Sequence, residues 1–234
     1  MEVLCLIGLG LLAVHAFADA PAGWFPFAVG ELSSDSLCNV SSYSLRPAGG
    51  DGFVQLRDGH FYDGHGRRLR FLGTNVTFGD AFPDKALAPR IAERMAALGI
   101  NCVRFHHMDS QYKPRGIWDA AYKDKQHLDA EQLDRLDWFI YQLKQQGIYC
   151  DLNLHVSRHL TEADGVPNPQ GMPNYDKGVD NFNPRMIELQ RNYARDLLTH
   201  LNPYTKTAYV SEPCVAMVEM NNENSLLASA LWGR

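Results

Sequence analysis

The chain has 234 residues, 45% hydrophobic and 21% charged, an ordinary globular composition long enough for a sizeable core. Its formal net charge is −5 at pH 7 and its pI about 6.0, with no basic stripe, which argues against a nucleic-acid partner. The five cysteines include no C-x-x-C pair, so neither a zinc centre nor a dense disulfide framework is indicated.

The only long apolar run is the first, "MEVLCLIGLGLLAVHAFADA", which ends in small residues and reads as a signal peptide over 1–18. It implies a secreted or periplasmic protein with no membrane association once the leader is cleaved. Its first residues carry Glu2 and no Lys or Arg, so a buried N-terminal helix is the alternative. Residues 19–51 are rich in Pro, Ser and Gly and read as an extended lead-in. "FVQLRDGHFYDGHGRRLRF" then alternates apolar and polar residues around Asp58-Gly59 and Asp63-Gly64, which predicts short hairpins.

From there the pattern is regular. "LRFLGTNV" predicts a strand, and "PRIAERMAALG" a helix with Pro89 in its first turn and Gly99 as its stop. "INCVRFHHMD" is a second strand. "DAEQLDRLDWFIYQLKQQG" is a second helix, with Asp129 as N-cap, Gln132 completing a capping box, and Leu133, Leu136, Ile140 and Leu143 on one apolar stripe. "IYCDLNLHV" is a third strand, and "NPRMIELQRNYARDLLTHL" a third helix capped by Asn183. "PCVAMVEMNN" is a fourth strand, and "SLLASALW" begins a fourth helix. The strand cysteines Cys102, Cys150 and Cys214 read as small core residues.

Alternation of strand and helix means parallel strands joined by helical crossovers. The loops after strands two and three are too long to be plain connectors. Polar residues gather at strand C-terminal ends: Asn75, then His106 and His107, then Asn153 and His155, then Asn222 and Glu223. That is where a TIM barrel builds its active site, and "GTNVTFGD" lacks the glycine-rich turn of a doubly wound sheet. The expected fold class is therefore α/β, a (β/α)8 TIM barrel. A full barrel needs eight strand–helix units, so residues 52–234 read as its N-terminal half, truncated after about four units, with the hairpin capping the barrel bottom.

The run "VAMVEMNNENSLL" holds the strongest chemical signal. A carboxyl at a barrel strand end, flanked by amides able to hold sugar hydroxyls, suits a glycosidase general acid. Helix capping by an asparagine, with Glu223 as a first-turn acid, explains the same residues equally well.

Four segments resemble the retaining (β/α)8 glycoside hydrolases, most closely glycoside hydrolase family 5, the cellulase and mannanase family. They are "LGTN" at 72–75, "GINCVR" at 99–104, "GIYCDLNLH" at 147–155 and "VEMNNE" at 218–223, in order and with plausible spacing. The family usually places Pro where Asn224 stands, and often Asp where Asn153 stands. The resemblance implies a cofactor-free hydrolase of O-glycosidic bonds in a β-linked polysaccharide or oligosaccharide. It implies that Glu223 is the general acid/base and that Asn222 holds the sugar 2-hydroxyl. Arg104 corresponds to the arginine beneath the nucleophile, and His155 to a histidine lining the sugar site. The nucleophile, a glutamate of the seventh strand, has no counterpart in these 234 residues, so the chain alone is expected to be inactive.

Asn75, His106 and His107 read as further substrate-binding residues, with Trp118 as an exposed sugar platform or, equally, a buried loop anchor. A non-catalytic carbohydrate-binding barrel is the alternative of a different class. A metal-dependent amidohydrolase barrel, prompted by "HHMD", ranks below it because the first strand lacks a His-x-His pair. No metal ligand set is assigned.

Overall fold

The computed structural model describes residues 36–225. The leader expected over 1–18 and the helix expected after Ser225 lie outside them. No helix among the described residues is long and apolar enough to cross a membrane.

A small antiparallel sheet comes first, in the order β1 (Gln55–Arg57), β2 (His60–Tyr62), β3 (Arg68–Leu69). Asp58 (φ 49°) and Gly59 (φ 73°) make the first turn, both left-handed, as an Asp-Gly two-residue hairpin requires. Asp63 organises the second: Oδ1 accepts from the amides of His65 and Arg67 at 3.0 and 2.8 Å, and Oδ2 accepts from Arg67 Nε at 2.7 Å.

The main sheet is parallel throughout. Its order is β4 (Gly73–Thr77), β5 (Cys102–His106), β6 (Tyr149–Asn153), β7 (Val215–Glu219). The crossovers carry α1 (Ala88–Ala97), α2 (Ala130–Gln145) and α3 (Pro184–Leu198). The strand expected over 69–76 is interrupted at 70–72. There the side chain of Asn101 takes over the ladder's role, accepting from Leu72 N at 2.7 Å and donating to Arg70 O at 2.8 Å.

Register sorts the residues into two faces. Val76, Phe105, Leu152 and Val218 align across the four strands on one face, and Asn75, Arg104, Asp151 and Met217 on the other. The first face meets the helices. Val103, Phe105, Cys150 and Leu152 are fully buried there, with Phe105 edge-on to Phe139 of α2 at 5.8 Å. Leu136, Ile140 and Leu143 complete the buried stripe of α2, while Leu133 is partly buried at its margin. On α1 the buried residues Ala88, Ala92 and Ala96 recur every fourth position, and small side chains let that helix approach closely. Cys102, Cys150 and Cys214 are buried free thiols.

Asp129 caps α2 by accepting from Gln132 N at 2.9 Å, but the box is only half formed. The Gln132 amide instead donates to Pro114 O and Gly116 O, tying the loop before the helix to its first turn. Asn183 caps α3 by accepting from Arg185 N and Met186 N. The described part of the lead-in is pinned to the far helix ends: Val40 N donates to Ala97 O of α1, and Ala48 N to Lys144 O of α2, satisfying terminal carbonyls. A chain of rings, Phe61–Phe71 at 5.3 Å and Phe71–Tyr149 at 5.7 Å, joins the antiparallel sheet to the first residue of β6. The hairpin sheet thus meets the N-terminal end of the parallel sheet, leaving the C-terminal end to the two long loops.

The helix-facing layer carries the stability. Phe105→Ala is expected to lower the unfolding free energy by about 3–5 kcal/mol. Urea denaturation followed by circular dichroism checks it, and a loss below about 1 kcal/mol would mean the Phe105–Phe139 layer is not close-packed.

Candidate active site

Arg104, third residue of β5, stands at the centre of the polar face. Its Nε and Nη2 donate to the two carboxylate oxygens of Glu219, at 3.0 and 2.6 Å, a bidentate pair that fixes both side chains. Nη2 also donates to Asn222 Oδ1 at 2.9 Å. One guanidinium therefore positions the last residue of β7 and the loop that follows it. Asn153 Nδ2 donates to the same Glu219 carboxylate from β6. Asp151, one pleat lower, lies 4.0 Å from Arg104 Nε.

The charges divide as the geometry dictates. Arg104 holds the Glu219 carboxyl below its usual value, more than offsetting partial burial. Asp151 goes the other way. Burial pushes it up to about 7, and the neighbouring Glu219 carboxylate adds to the shift. Glu219 is thus the anion and Asp151 the group that keeps its proton near neutrality. His106, two residues along from Arg104 on the same face, is pushed down to about 4 by burial first and Arg104 second, so it is neutral at physiological pH. Its Nδ1 lies 3.5 Å from Asn153 Nδ2.

Glu223 is exposed and sits in left-handed backbone at φ 48°, a conformation uncommon for a non-glycine residue. It follows Asn222 directly, in the loop that Arg104 holds through the Asn222 side chain. His107 (φ 58°) stacks on Phe78 (φ 50°) at 4.5 Å and lies 2.7 Å from Ser157 Oγ through Nδ1. Phe78 and His107, each the first residue past its strand, thus adopt left-handed backbone and turn the chain sharply as it leaves the sheet. Asn75 is exposed and pairs in register with Arg104.

The structure therefore gathers Arg104, Asn222 and His106, with Asn75 on the same face, His107 one residue past β5, and Glu223 in the loop next to Asn222. It does not place His155 or Trp118 on that open surface. His155 is 3% exposed, beyond the end of β6, with Nδ1 3.4 Å from Asp109 and Nε2 2.9 Å from Asp180. Asp109 is the buried organiser of these loops. Its Oδ2 accepts from the amides of Val156, Ser157 and Arg158 at 2.9, 3.3 and 3.1 Å, so the loop after β5 clamps the loop after β6. Trp118 is fully buried, donating Nε1–H to Asp109 O at 2.7 Å, which makes it the loop anchor and corrects the sugar-platform reading. Among the described residues no group of three or more His, Cys, Asp or Glu is arranged to hold a metal ion.

Glu219 is the member of the site that residue type alone did not single out. The available signal was its register: it falls opposite Asn153, on the face that carries Arg104.

A parallel sheet with its polar cluster at the strands' C-terminal ends is the architecture of (β/α)-barrel enzymes. Solved structures share the parallel-sheet fold. The endo-1,4-beta-mannanase from Rhizomucor miehei superposes with a TM-score of 0.58 at 22% identity, covering 74% of this chain and 48% of that one. The endo-beta-1,4-mannanase from Thermotoga petrophila gives 0.51 at 20% identity, over 68% of this chain and 36% of that one. The glycoside hydrolase family 5 mannosidase from Rhizomucor miehei gives 0.58 at 14% identity, over 74% and 49%. The likeness is one of fold, and the chain spans half or less of the length of these proteins. No family model matches the chain, and no curated protein matches it.

Two measurements probe the site. In Arg104→Met the Glu219 carboxyl loses the partner that depresses it and His106 loses a repelling cation, so both pKa values should rise. Side-chain NMR titration reads them, and an unmoved Glu219 would mean the bidentate pair does not exist in solution.

The second concerns His155. Burial disfavours its imidazolium, but Asp109 and Asp180 outweigh burial and raise its pKa above the ordinary 6.5. A raised folded pKa gives stability that is full below 6.5 and lost as pH climbs through the folded value. The stability difference between wild type and His155→Asn should therefore shrink as pH rises past neutrality. A difference that is flat from pH 5 to 9, or grows with pH, would rule out a charged His155 between the two aspartates.

Proposed function

We propose that this chain contributes the first half of a (β/α)8 barrel of a retaining glycoside hydrolase, secreted, with Glu223 as its general acid/base. The reading rests on one observation above the rest: Arg104 binds Glu219 and Asn222 together, so the loop bearing Glu223 is fastened to the end of β7 at the polar mouth of the sheet. The substrate class that fits is a β-linked polysaccharide, and the mannanase names of the fold's relatives make a β-mannan the first to try.

In this mechanism Glu223 protonates the leaving glycosidic oxygen and later deprotonates the attacking water. The nucleophilic carboxylate comes from a part of the barrel outside these 234 residues, about 5–5.5 Å from Glu223, as retention demands. Asn222, held by Arg104, meets the sugar hydroxyl beside the reacting carbon. The neutral His106 can donate or accept a hydrogen bond without adding charge, and Asn75 faces the same space. Arg104 is a positioning residue here, acting through Glu219 and Asn222.

The test uses the full-length protein that carries this chain, assayed on β-mannan and on an aryl glycoside with a good leaving group. Glu223→Ala should lose about 10²–10⁴-fold on mannan. The aryl glycoside, which scarcely needs the acid, should still load the enzyme and then stall. Added azide should restore turnover and yield a glycosyl azide of retained configuration. Full activity of Glu223→Ala on natural glycans, or an inverted azide product, would remove Glu223 from this role. Sugar binding without hydrolysis by wild type would identify a carbohydrate-binding barrel instead.

A further inference from the structure

A cavity of about 230 Å³ lies between α3 and the loop following β5, sharing no residue with the Arg104 cluster. Its walls include Trp118, Lys125, Arg158, Asn192 and Tyr193, and the exposed Arg195 and Asp196 stand at its rim. Arg158 is 1% exposed, yet Nε has no hydrogen-bond partner, and the buried hydroxyl of Tyr193 has none either. A guanidinium offers five donors and cannot shed its proton to escape burial. Leaving such a group unpaired in a protein interior is costly.

The surroundings balance the charge of Arg158 but give its Nε no acceptor. Arg158 Cζ lies 5.3 Å from the ring centroids of both Trp118 and Tyr193, and those rings are 5.0 Å apart, so the three groups form a nearly equilateral triangle. The rings offer cation–π attraction but no acceptor. Asp109, Asp164 and Asp176 act on Arg158 by charge, but their hydrogen bonds go elsewhere. Asp109 accepts from three loop amides, and Asp164 accepts from Lys125 N and from Thr161. Lys125 Nζ, 8% exposed as a residue, donates to the carbonyls of Ser110 and His159. At the rim Arg195 is paired with Asp196 at 3.1 Å. The pocket therefore borders a guanidinium and a phenol that lack acceptors, is aromatic on one wall and is apolar where Leu189 lines it.

We propose that this cavity binds a small organic carboxylate, whose oxygens accept from Arg158 and from the Tyr193 hydroxyl while its apolar part lies against Trp118 and Leu189. A carboxylate matches the guanidinium fork in shape and charge. The volume falls below that of sites for drug-sized ligands, which limits the occupant to a few heavy atoms beyond its acid group. The aromatic and aliphatic walls favour an organic acid over a bare inorganic oxyanion.

The probes are benzoate, acetate and inorganic phosphate, titrated at constant ionic strength while NMR follows the Arg158 Nε–H resonance. Saturable shifts at roughly millimolar concentration are expected for the carboxylates. Benzoate should bind about threefold to tenfold tighter than acetate through the aromatic wall. Arg158→Met should abolish the response, read in that variant from the Trp118 indole resonance. Asn192→Trp, a change on the α3 surface at the cavity mouth, should weaken it at least tenfold while leaving Arg158 in place, and decides the matter should the buried variant fail to fold. A shift that merely drifts with concentration, or one indifferent to Asn192→Trp, would mean that water fills the cavity and Arg158 is a purely structural cation. Phosphate binding tighter than either acid would overturn the carboxylate assignment.

Discussion

The bidentate contact between Arg104 and Glu219 is the constraint on which the polar end of this sheet depends. It joins β5 to β7 across the intervening β6, and it is completed by Asn153 from that middle strand. A guanidinium in this setting has a rigid fork and a permanent charge, so it fixes direction as well as distance. Because the same group holds Asn222, the loop after β7 is tied to β5, while Asn222 N and Asn224 tie it to the loop after β6. A lysine at 104 would keep the charge and lose the fork.

A second layer of order comes from buried anions in the loops. Asp109 gathers three successive amides of the loop after β6, and Asp164 caps its own short turn while receiving the amide of Lys125. These carboxylates do for long irregular segments what a ladder of backbone bonds does for strands. They convert two segments of more than twenty residues into fixed walls around the end of the sheet, and they explain why so many charged residues in this region are buried.

The sequence made the sheet legible because parallel strands and their helices carry strong periodic patterns. Asp129 and Asn183 cap where their positions predict, since capping is a local interaction. Arg104 and His106 share a face because both lie inside β5. His155 does not follow that pattern, because β6 ends at Asn153 and a period of two has no meaning beyond a strand's last residue. Glu219 escaped notice as a site residue for a related reason. A carboxylate inside an apolar strand is legible only through its partners, Arg104 two strands away and Asn153 on the neighbouring strand. Trp118 shows the limit of composition: an aromatic in a long loop is a platform or an anchor, and nothing local separates the two.

The left-handed backbone of Glu223 carries a consequence of its own. At φ 48° an L-residue with a side chain is held about 1–2 kcal/mol above its relaxed state, whereas glycine has no such penalty. Selection for durability alone would therefore drift this position toward glycine, and every such drift would erase the carboxylate. Under the proposed function, a glutamate that persists in this conformation across related chains would be a record of use, and a glycine there would mark a lineage that kept the sheet and gave up the proposed acid.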